Sequence, residues 1–195
     1  MSRPAKYDAD QILDAALAVL SKGGLRQTTV AAIARELGAP SGSLYHRFPS
    51  RDVLLATLWL RSVERFQGGF LAALDLPRPR VAAQQASLFV LRWCREEPAQ
   101  ARLLLLYHRD DLLGGRWPRE VVARARRVRR DLTQGIGAYA KRLWPQGPNL
   151  PLLRFALLAI PYGAVRAYIA QGAPIPEDLD QAVVRAVEAA LFGIS

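Results

Sequence analysis

The sequence has a single cysteine, Cys94, among 195 residues, so no disulfide can form within the chain and a reducing compartment suits it. Its first ten residues are polar and hold no apolar run, so we expect no secretion signal and a cytoplasmic location. It has only two histidines, no glycine-rich phosphate loop and no nucleophile motif. We therefore expect a protein that is not an enzyme and needs no metal or cofactor.

Lysine is also scarce, yet the formal net charge is +10 because arginine supplies most of the 27 basic residues. Such a charge attracts polyanions: nucleic acid, acidic membrane surfaces or anionic metabolites. A codon bias toward arginine would explain much of the excess equally well. Charge alone therefore does not choose a partner.

No segment alternates apolar and polar residues as a strand does, so the sequence predicts an all-α fold of about nine helices. Asp8 is expected to cap the first helix and Gly23-Gly24 to stop it. Periodicity and breakers place the others at 30–37, 40–48, 51–74, 81–96, 98–113, 118–143, 150–171 and 177–192.

The most apolar stretch, residues 150–170, is the one rival for a membrane span. Arg154, Arg166 and a central Pro161 fit a lone bilayer helix poorly. A buried helix kinked at Pro161 fits better. A membrane-surface protein stays an alternative.

Residues 29–48 meet the physical requirements of a helix-turn-helix. Thr29 caps a short helix, small Ala34 lies where the helices cross, and Gly38 tolerates the positive φ of the turn. The second helix then presents small and polar side chains that let the backbone approach base edges in the major groove. These residues are Ala39, Pro40, Ser41, Gly42 and Ser43.

The stretch TVAAIARELGAPSGSLYHRFPSRDVLL, residues 29–55, resembles the signature of TetR-family transcriptional regulators. The resemblance implies a DNA-binding domain at residues 1–50 and a helical ligand-binding and dimerisation domain at 51–195. It also implies that Tyr45, His46, Thr29 and Arg51 bind the phosphate backbone, while Ser41, Gly42 and Ser43 face the bases. Arg47 would read a guanine or touch phosphate, and Arg3 and Lys6 would form a flexible arm. Phe48, three residues after Tyr45, is expected in the core.

The C-terminal body supplies the candidates for dimerisation and ligand binding. A seam of small and apolar residues on the last helix is expected to join the preceding helix in a four-helix dimer interface; it consists of Leu179, Val183, Ala186 and Ala190. Aromatic and polar side chains that could line an effector pocket are Phe66, Trp93, Tyr107, His108, Trp117, Tyr139, Phe155, Tyr162 and Arg166. The arginines of 119–130 are expected on a solvated face, where Arg126 or Arg130 could attract an anionic ligand such as an acyl-coenzyme A thioester.

The sequence thus predicts a homodimeric repressor that binds a palindromic operator in double-stranded DNA. A small molecule, largely apolar with or without an anionic group, would release it. The alternatives are the membrane-surface protein and an architectural DNA-binding protein without a sensor. The long aromatic-rich body argues against the second, because DNA binding alone needs only the first third of the chain.

Overall fold

A computed structural model describes residues 7–106 and 117–193, and these residues form helices without strands. The predictions for Arg3, Lys6, Tyr107 and His108 lie outside the described residues. The helices are α1 (Ala9–Gln27), α2 (Val30–Leu37), α3 (Ser41–Tyr45), α4 (Arg51–Leu74), α5 (Pro79–Glu96), α6 (Pro98–Leu106), α7 (Arg119–Leu143), α8 (Leu150–Arg154), a π-helical turn (Phe155–Ala159), α9 (Ile160–Gln171) and α10 (Leu179–Phe192). Because α8, the π-helical turn and α9 run on without a break, the described residues hold nine helices. The predicted all-α fold is confirmed.

The chain forms two compact units. The first comprises residues up to Ser62 together with Arg102–Ala125, and the second comprises Val63–Ala101 and everything from Arg126. The start of α4 belongs to the first unit because its leucines pack into the same core as α1–α3. The predicted domain boundary between residues 50 and 51 stays a prediction.

The core of the first unit is mainly apolar. Its largest members are Ile12, Leu20, Ile33, Leu44, Phe48, Leu54, Leu55 and Leu58. Burying a side chain of this size stabilises the fold by about 1.5–3 kcal/mol relative to leaving it exposed. Phe48 is 6% exposed, which confirms its predicted place in the core.

The two ends of helix α1 differ in how well the sequence predicts them. Asp8 forms a full capping box with Gln11, as its position suggested. At the other end, the regular helical backbone is interrupted at Gly24, as predicted for Gly23-Gly24, but the helix continues beyond it. Gly24 has φ 69° and ψ −178°, so the chain bends there and then completes another turn to Gln27. Only glycine takes such a conformation without strain.

Helix α3 is shorter than predicted and covers Ser41–Tyr45 rather than residues 40–48. Pro40 is its N-cap, with extended backbone at ψ 137°. At the other end, the amides of Arg47 and Phe48 both donate to the carbonyl of Leu44. The chain therefore turns into the core at Phe48 instead of extending the helix.

In the second unit α10 packs against α5, burying Val183, Val187 and Leu191. Arg95 of α5 binds the segment of chain that leads into α10. Its guanidinium donates to the carbonyls of Ile175 and Pro176 and to the carboxylate of Asp180, the closest oxygen at 2.6 Å. The side-chain hydrogen bond with Asp180 raises the pKa of Arg95, so the charge stays in place at any ordinary pH.

The predicted disturbance at Pro161 takes the form of a π-helical turn. The five residues Phe155–Ala159 precede Pro161, and the amide of Ile160 donates to the carbonyl of Phe155, five residues back. The wider turn helps the helix to accommodate a proline that has no amide hydrogen. This continuous helix, Leu150–Gln171, is the one stretch of the described chain long and apolar enough to cross a membrane, which is weak evidence because core helices pass the same test.

The turn between α2 and α3 gives a direct test of this fold. Gly38 has φ 68° and ψ 34°, and a Cβ there would meet no atom within 4 Å. We expect Gly38→Ala to lower the free energy of unfolding by about 1–2 kcal/mol through backbone strain alone. Urea denaturation measures the change. Gly42→Ala, in open space on α3 with ordinary helical backbone, is the matched control and should not destabilise. Equal effects of the two variants would contradict the left-handed turn.

Candidate nucleic-acid interface

Thr29 starts the interface by capping α2. Its hydroxyl oxygen accepts a hydrogen bond of 3.1 Å from the amide of Ala32, and its own backbone is extended. The side chain is exposed. Because the oxygen is occupied as an acceptor, the hydroxyl hydrogen is left to donate outward, as a phosphate contact requires.

The turn after α2 sets the direction of α3. The amide of Ala39 donates to the carbonyl of Ala34 across the left-handed Gly38, at 2.9 Å. Ala34 and Leu44 are buried, at 3% and 1% exposed. The small side chain of Ala34 and the anchor at Leu44 therefore hold α3 against the core by its inner face.

The outer face of α3 is exposed. Ser41, Gly42, Tyr45, His46 and Arg47 are all open to solvent, and Tyr45 is 54% exposed. Ser43 is half-buried, and its hydroxyl donates to the carbonyl of Pro40 at 2.7 Å. The structure thus brings the predicted base-facing and phosphate-facing side chains onto one edge, with Ala39 half-buried and Pro40 exposed at its start.

Arg51 is the exception among the predicted phosphate-binding residues. Its Nε donates to the carbonyl of Thr28 and one Nη to the carbonyl of Leu25, both at 2.6 Å. The other Nη lies 3.7 Å from the Asp52 carboxylate. The guanidinium is therefore bound to the end of α1, which differs from the predicted outward contact with phosphate.

Sequence reasoning missed two contacts that hold the motif. The hydroxyl of Tyr7 donates to the carbonyl of Gly38 at 3.0 Å, across 31 residues of sequence. Lys22 on α1 forms an ion pair of 2.8 Å with Glu36 on α2. The spacing of residues in the sequence does not predict either contact, because each joins residues that come together only in the folded structure.

The structure places two of the predicted effector-pocket residues, Phe66 and Trp93, in contact with each other. Phe66 contacts Trp93 edge-on, with ring centroids 5.0 Å apart, stacks on Phe70 at 5.7 Å and meets Phe89 at a tilted angle, also at 5.7 Å. Phe70 and Trp93 are buried, whereas Phe66 and Phe89 are half-buried. Tyr162 is half-buried, Arg166 is exposed, and Trp117 is half-buried in the first unit.

Tyr139 lines a cavity of about 320 Å³ in the second unit. This cavity lies between the end of α4 and the end of α7. Its lining residues are Leu71, Ala72, Leu74, Asp75, Gly135, Ala138, Tyr139 and Arg142. The Tyr139 hydroxyl donates to the Pro79 carbonyl at 2.9 Å, and burial raises the pKa of Tyr139 to about 12. Arg142 donates to the carbonyls of Leu74 and Asp75 at the rim.

The residues of the predicted dimer seam differ in how far they are exposed to solvent. Val183 is buried against its own unit at 3% exposed, so it offers no surface to a partner. Leu179 and Ala190 are half-buried, and Ala186 is exposed. The outward line of α10 is instead Ala182, Ala186 and Ala189, all exposed.

The described residues provide neither a cluster of metal ligands nor a reactive thiol. No group of three or more potential metal ligands occurs in residues 7–106 and 117–193. Burial raises the pKa of the Cys94 thiol to about 12, so at neutral pH it is a protonated and poorly nucleophilic group.

Comparison with known proteins agrees with this geometry. Residues 12–58 match the family model of bacterial regulatory proteins of the tetR family. FadR of Bacillus subtilis, solved in complex with stearoyl-CoA, is similar in fold, with 16% identity, a TM-score of 0.71 and coverage of 96% of this chain and 100% of that one. FadR of Bacillus halodurans has 18% identity, a TM-score of 0.66 and coverage of 96% and 100%. PfmR of Thermus thermophilus, a TetR-family regulator, has 19% identity, a TM-score of 0.70 and coverage of 97% and 98%. No curated protein matches the sequence.

The capped α2, the left-handed turn and the exposed edge of α3 together form a helix-turn-helix. Residues 12–58 are similar to the bacterial regulatory proteins of the tetR family, and the chain as a whole has the helical fold of solved TetR-family regulators.

Proposed function

We propose that this protein is a homodimeric repressor in the cytoplasm, which binds a palindromic operator and is released from it by a small amphipathic molecule. The observation that carries the proposal is the exposed edge of α3, where hydroxyls, a tyrosine, a histidine and an arginine stand together on a short, firmly anchored helix. Small side chains at Ser41 and Gly42 leave room for the backbone to approach base edges in the major groove.

Tyr45 and Arg47 have different parts in this proposal. Tyr45 is 54% exposed, so both its ring and its hydroxyl are available for an outside contact. Arg47 is exposed, and within the described part of the chain it forms no ion pair that would occupy its charge. We assign Tyr45 a neutral phosphate contact and Arg47 a charged one to phosphate or guanine.

A dimer is needed because one short helix makes too small a contact for specific binding. Two α3 helices in successive major grooves would lie about 34–36 Å apart. The helix Leu150–Gln171 and α10 leave an apolar outward face on the second unit, with Phe155 54% exposed and Ala159, Gly163, Ala182 and Ala186 also open. A second copy covering this face would bury it, and its small residues allow close approach of helices.

The effector is proposed to be amphipathic. The cavity beside Tyr139, at about 320 Å³, falls within the size range of small-molecule sites. Its walls are mostly apolar, and Asp75, Tyr139 and Arg142 supply the polar groups, which suits a ligand that has an apolar part and a polar group. The similar fold of FadR with stearoyl-CoA makes a fatty acyl thioester the first compound to try.

Tyr45→Ala and Arg47→Ala test the DNA contact. Both should weaken binding to a duplex selected by the unmodified protein from a randomised library. Tyr45→Ala should leave the slope of log K against log salt unchanged because tyrosine is neutral, whereas Arg47→Ala should reduce it by about one unit. Fluorescence anisotropy over a salt series measures both. Arg129→Ala, at an exposed arginine on α7 in the second unit and away from the proposed dimer face, is the charge-matched control. Unaltered affinity in both interface variants would rule out the α3 edge.

Ala186→Glu tests the dimer. A carboxylate in the middle of the proposed apolar contact should convert dimers to monomers in sedimentation equilibrium, since an unpaired buried charge costs several kcal/mol. Thr133→Glu, exposed on α7, should leave the dimer intact. A dimer that survives Ala186→Glu would exclude this face, and a monomeric unmodified protein would exclude the homodimer itself.

Stearoyl-CoA tests the effector class. We expect it to weaken binding to the selected duplex by about 5–150-fold, the usual range of allosteric coupling, while coenzyme A alone does not. Ala138→Trp, which narrows the cavity, should abolish the response. Thr133→Trp on the same helix should keep it. Release that persists in Ala138→Trp would place the ligand elsewhere, and no release by stearoyl-CoA would remove acyl thioesters from the proposal.

A further inference from the structure

We propose that Arg51 is a positioning residue of the DNA interface, which fixes the connection between α1 and α2 against the start of α4 and so orients Thr29 toward DNA. This proposal rests on the proposed DNA-binding function. It assigns Arg51 a role that differs from the phosphate contact its sequence position suggests.

The geometry of the guanidinium carries the first step. Nε and one Nη donate in parallel to two carbonyls, those of Thr28 and Leu25, each at 2.6 Å. Short charge-assisted hydrogen bonds from one rigid, planar group fix both the distance and the angle between the segments they join. Arg51 joins segments 23 and 26 residues apart in sequence.

The electrostatics of the helix ends favour the same arrangement. A cation at the first residue of α4 meets the positive end of that helix dipole, which is unfavourable. By turning back to Leu25 and Thr28 the guanidinium reaches the carbonyl end of α1 instead, where a cation is stabilising. Asp52, the next residue, supplies the acidic group expected in the first turn of α4.

The position of Thr28 connects this contact to DNA binding. Thr28 is fully buried and its side chain is tied to the carbonyl of Gly24 at 2.8 Å. Its carbonyl belongs to the peptide unit that leads into Thr29, the N-cap of α2. Holding that carbonyl therefore holds the orientation of the Thr29 backbone, and with it the hydroxyl that caps Ala32 and faces outward.

Lysine is the informative replacement. It keeps the positive charge, so it would serve a phosphate contact almost as well as arginine. It lacks the two-pronged planar donor set, so it cannot bind both carbonyls in the same geometry. The two roles therefore predict opposite behaviour for Arg51→Lys.

The experiment compares Arg51→Lys and Arg51→Ala with the unmodified protein and the Arg129→Ala control on the selected duplex. We expect both Arg51 variants to bind on the order of tenfold more weakly, with the slope of log K against log salt unchanged. Near-normal affinity in Arg51→Lys, together with a slope reduced by about one unit in Arg51→Ala, would show a phosphate contact and overturn the proposal.

Amide hydrogen exchange gives a second readout that does not need DNA. Both variants should exchange the Ala32 amide faster, because its acceptor Thr29 loses its fixed position, while the Gln11 amide, capped by Asp8 at the far end of α1, should be unchanged. Unchanged exchange at Ala32, or loss of the folded state in both variants, would overturn the positioning role. If the unmodified protein bound no duplex at low salt, the proposed function would fail, and Ala32 exchange would still decide the role of Arg51.

Discussion

The left-handed backbone at Gly38 is the constraint on which the DNA-binding face depends. It reverses the chain within one residue, so that the inner faces of α2 and α3 can both reach the core through Ala34 and Leu44. A helix as short as α3 has no stability of its own, because isolated helices need about 12–15 residues. The outward edge of α3 is therefore rigid only because its inward edge is anchored in the core. The hydrogen bond from the Tyr7 hydroxyl to the Gly38 carbonyl also holds the turn in place.

The arginines of this chain show why net charge is a poor guide to function. Arg61 is buried, with its guanidinium 3.0 Å from Asp10 and 2.6 Å from Asp14. Arg51, Arg95 and Arg142 each bind backbone carbonyls that follow or precede a helix. These four cations act as structural donors, and they add to the +10 charge without adding to an exposed basic patch. Exposed residues such as Arg47, rather than the total charge, indicate where a polyanion would bind.

Features of the fold could be predicted from the sequence where they depend on residues that are close together in the chain. The bounds of α4, the cap at Thr29, the turn at Gly38 and the core position of Phe48 depend on near neighbours and were all predictable. The direction of Arg51 depends on carbonyls more than twenty residues away, and a charge at a helix start looks the same whether it turns outward or back. The pocket assignment of Phe66 stays a prediction for a related reason: aromatic side chains that would line a pocket and those that fill a core have the same spacing.

The outward face of the helix Leu150–Gln171 is apolar. Either a lipid bilayer or a second protein copy would cover such a surface, so its apolar composition alone does not distinguish the two. The arginines distinguish them. Arg154 and Arg166 are both exposed, and at 1.5 Å per residue they stand about 18 Å apart along the helix. A bilayer core about 30 Å thick would enclose at least one of them, at a cost of several kcal/mol. A protein partner can cover Phe155, Ala159 and Gly163 and leave both guanidinium groups at a wet rim, so the charges that spoil a membrane helix are compatible with a dimer face.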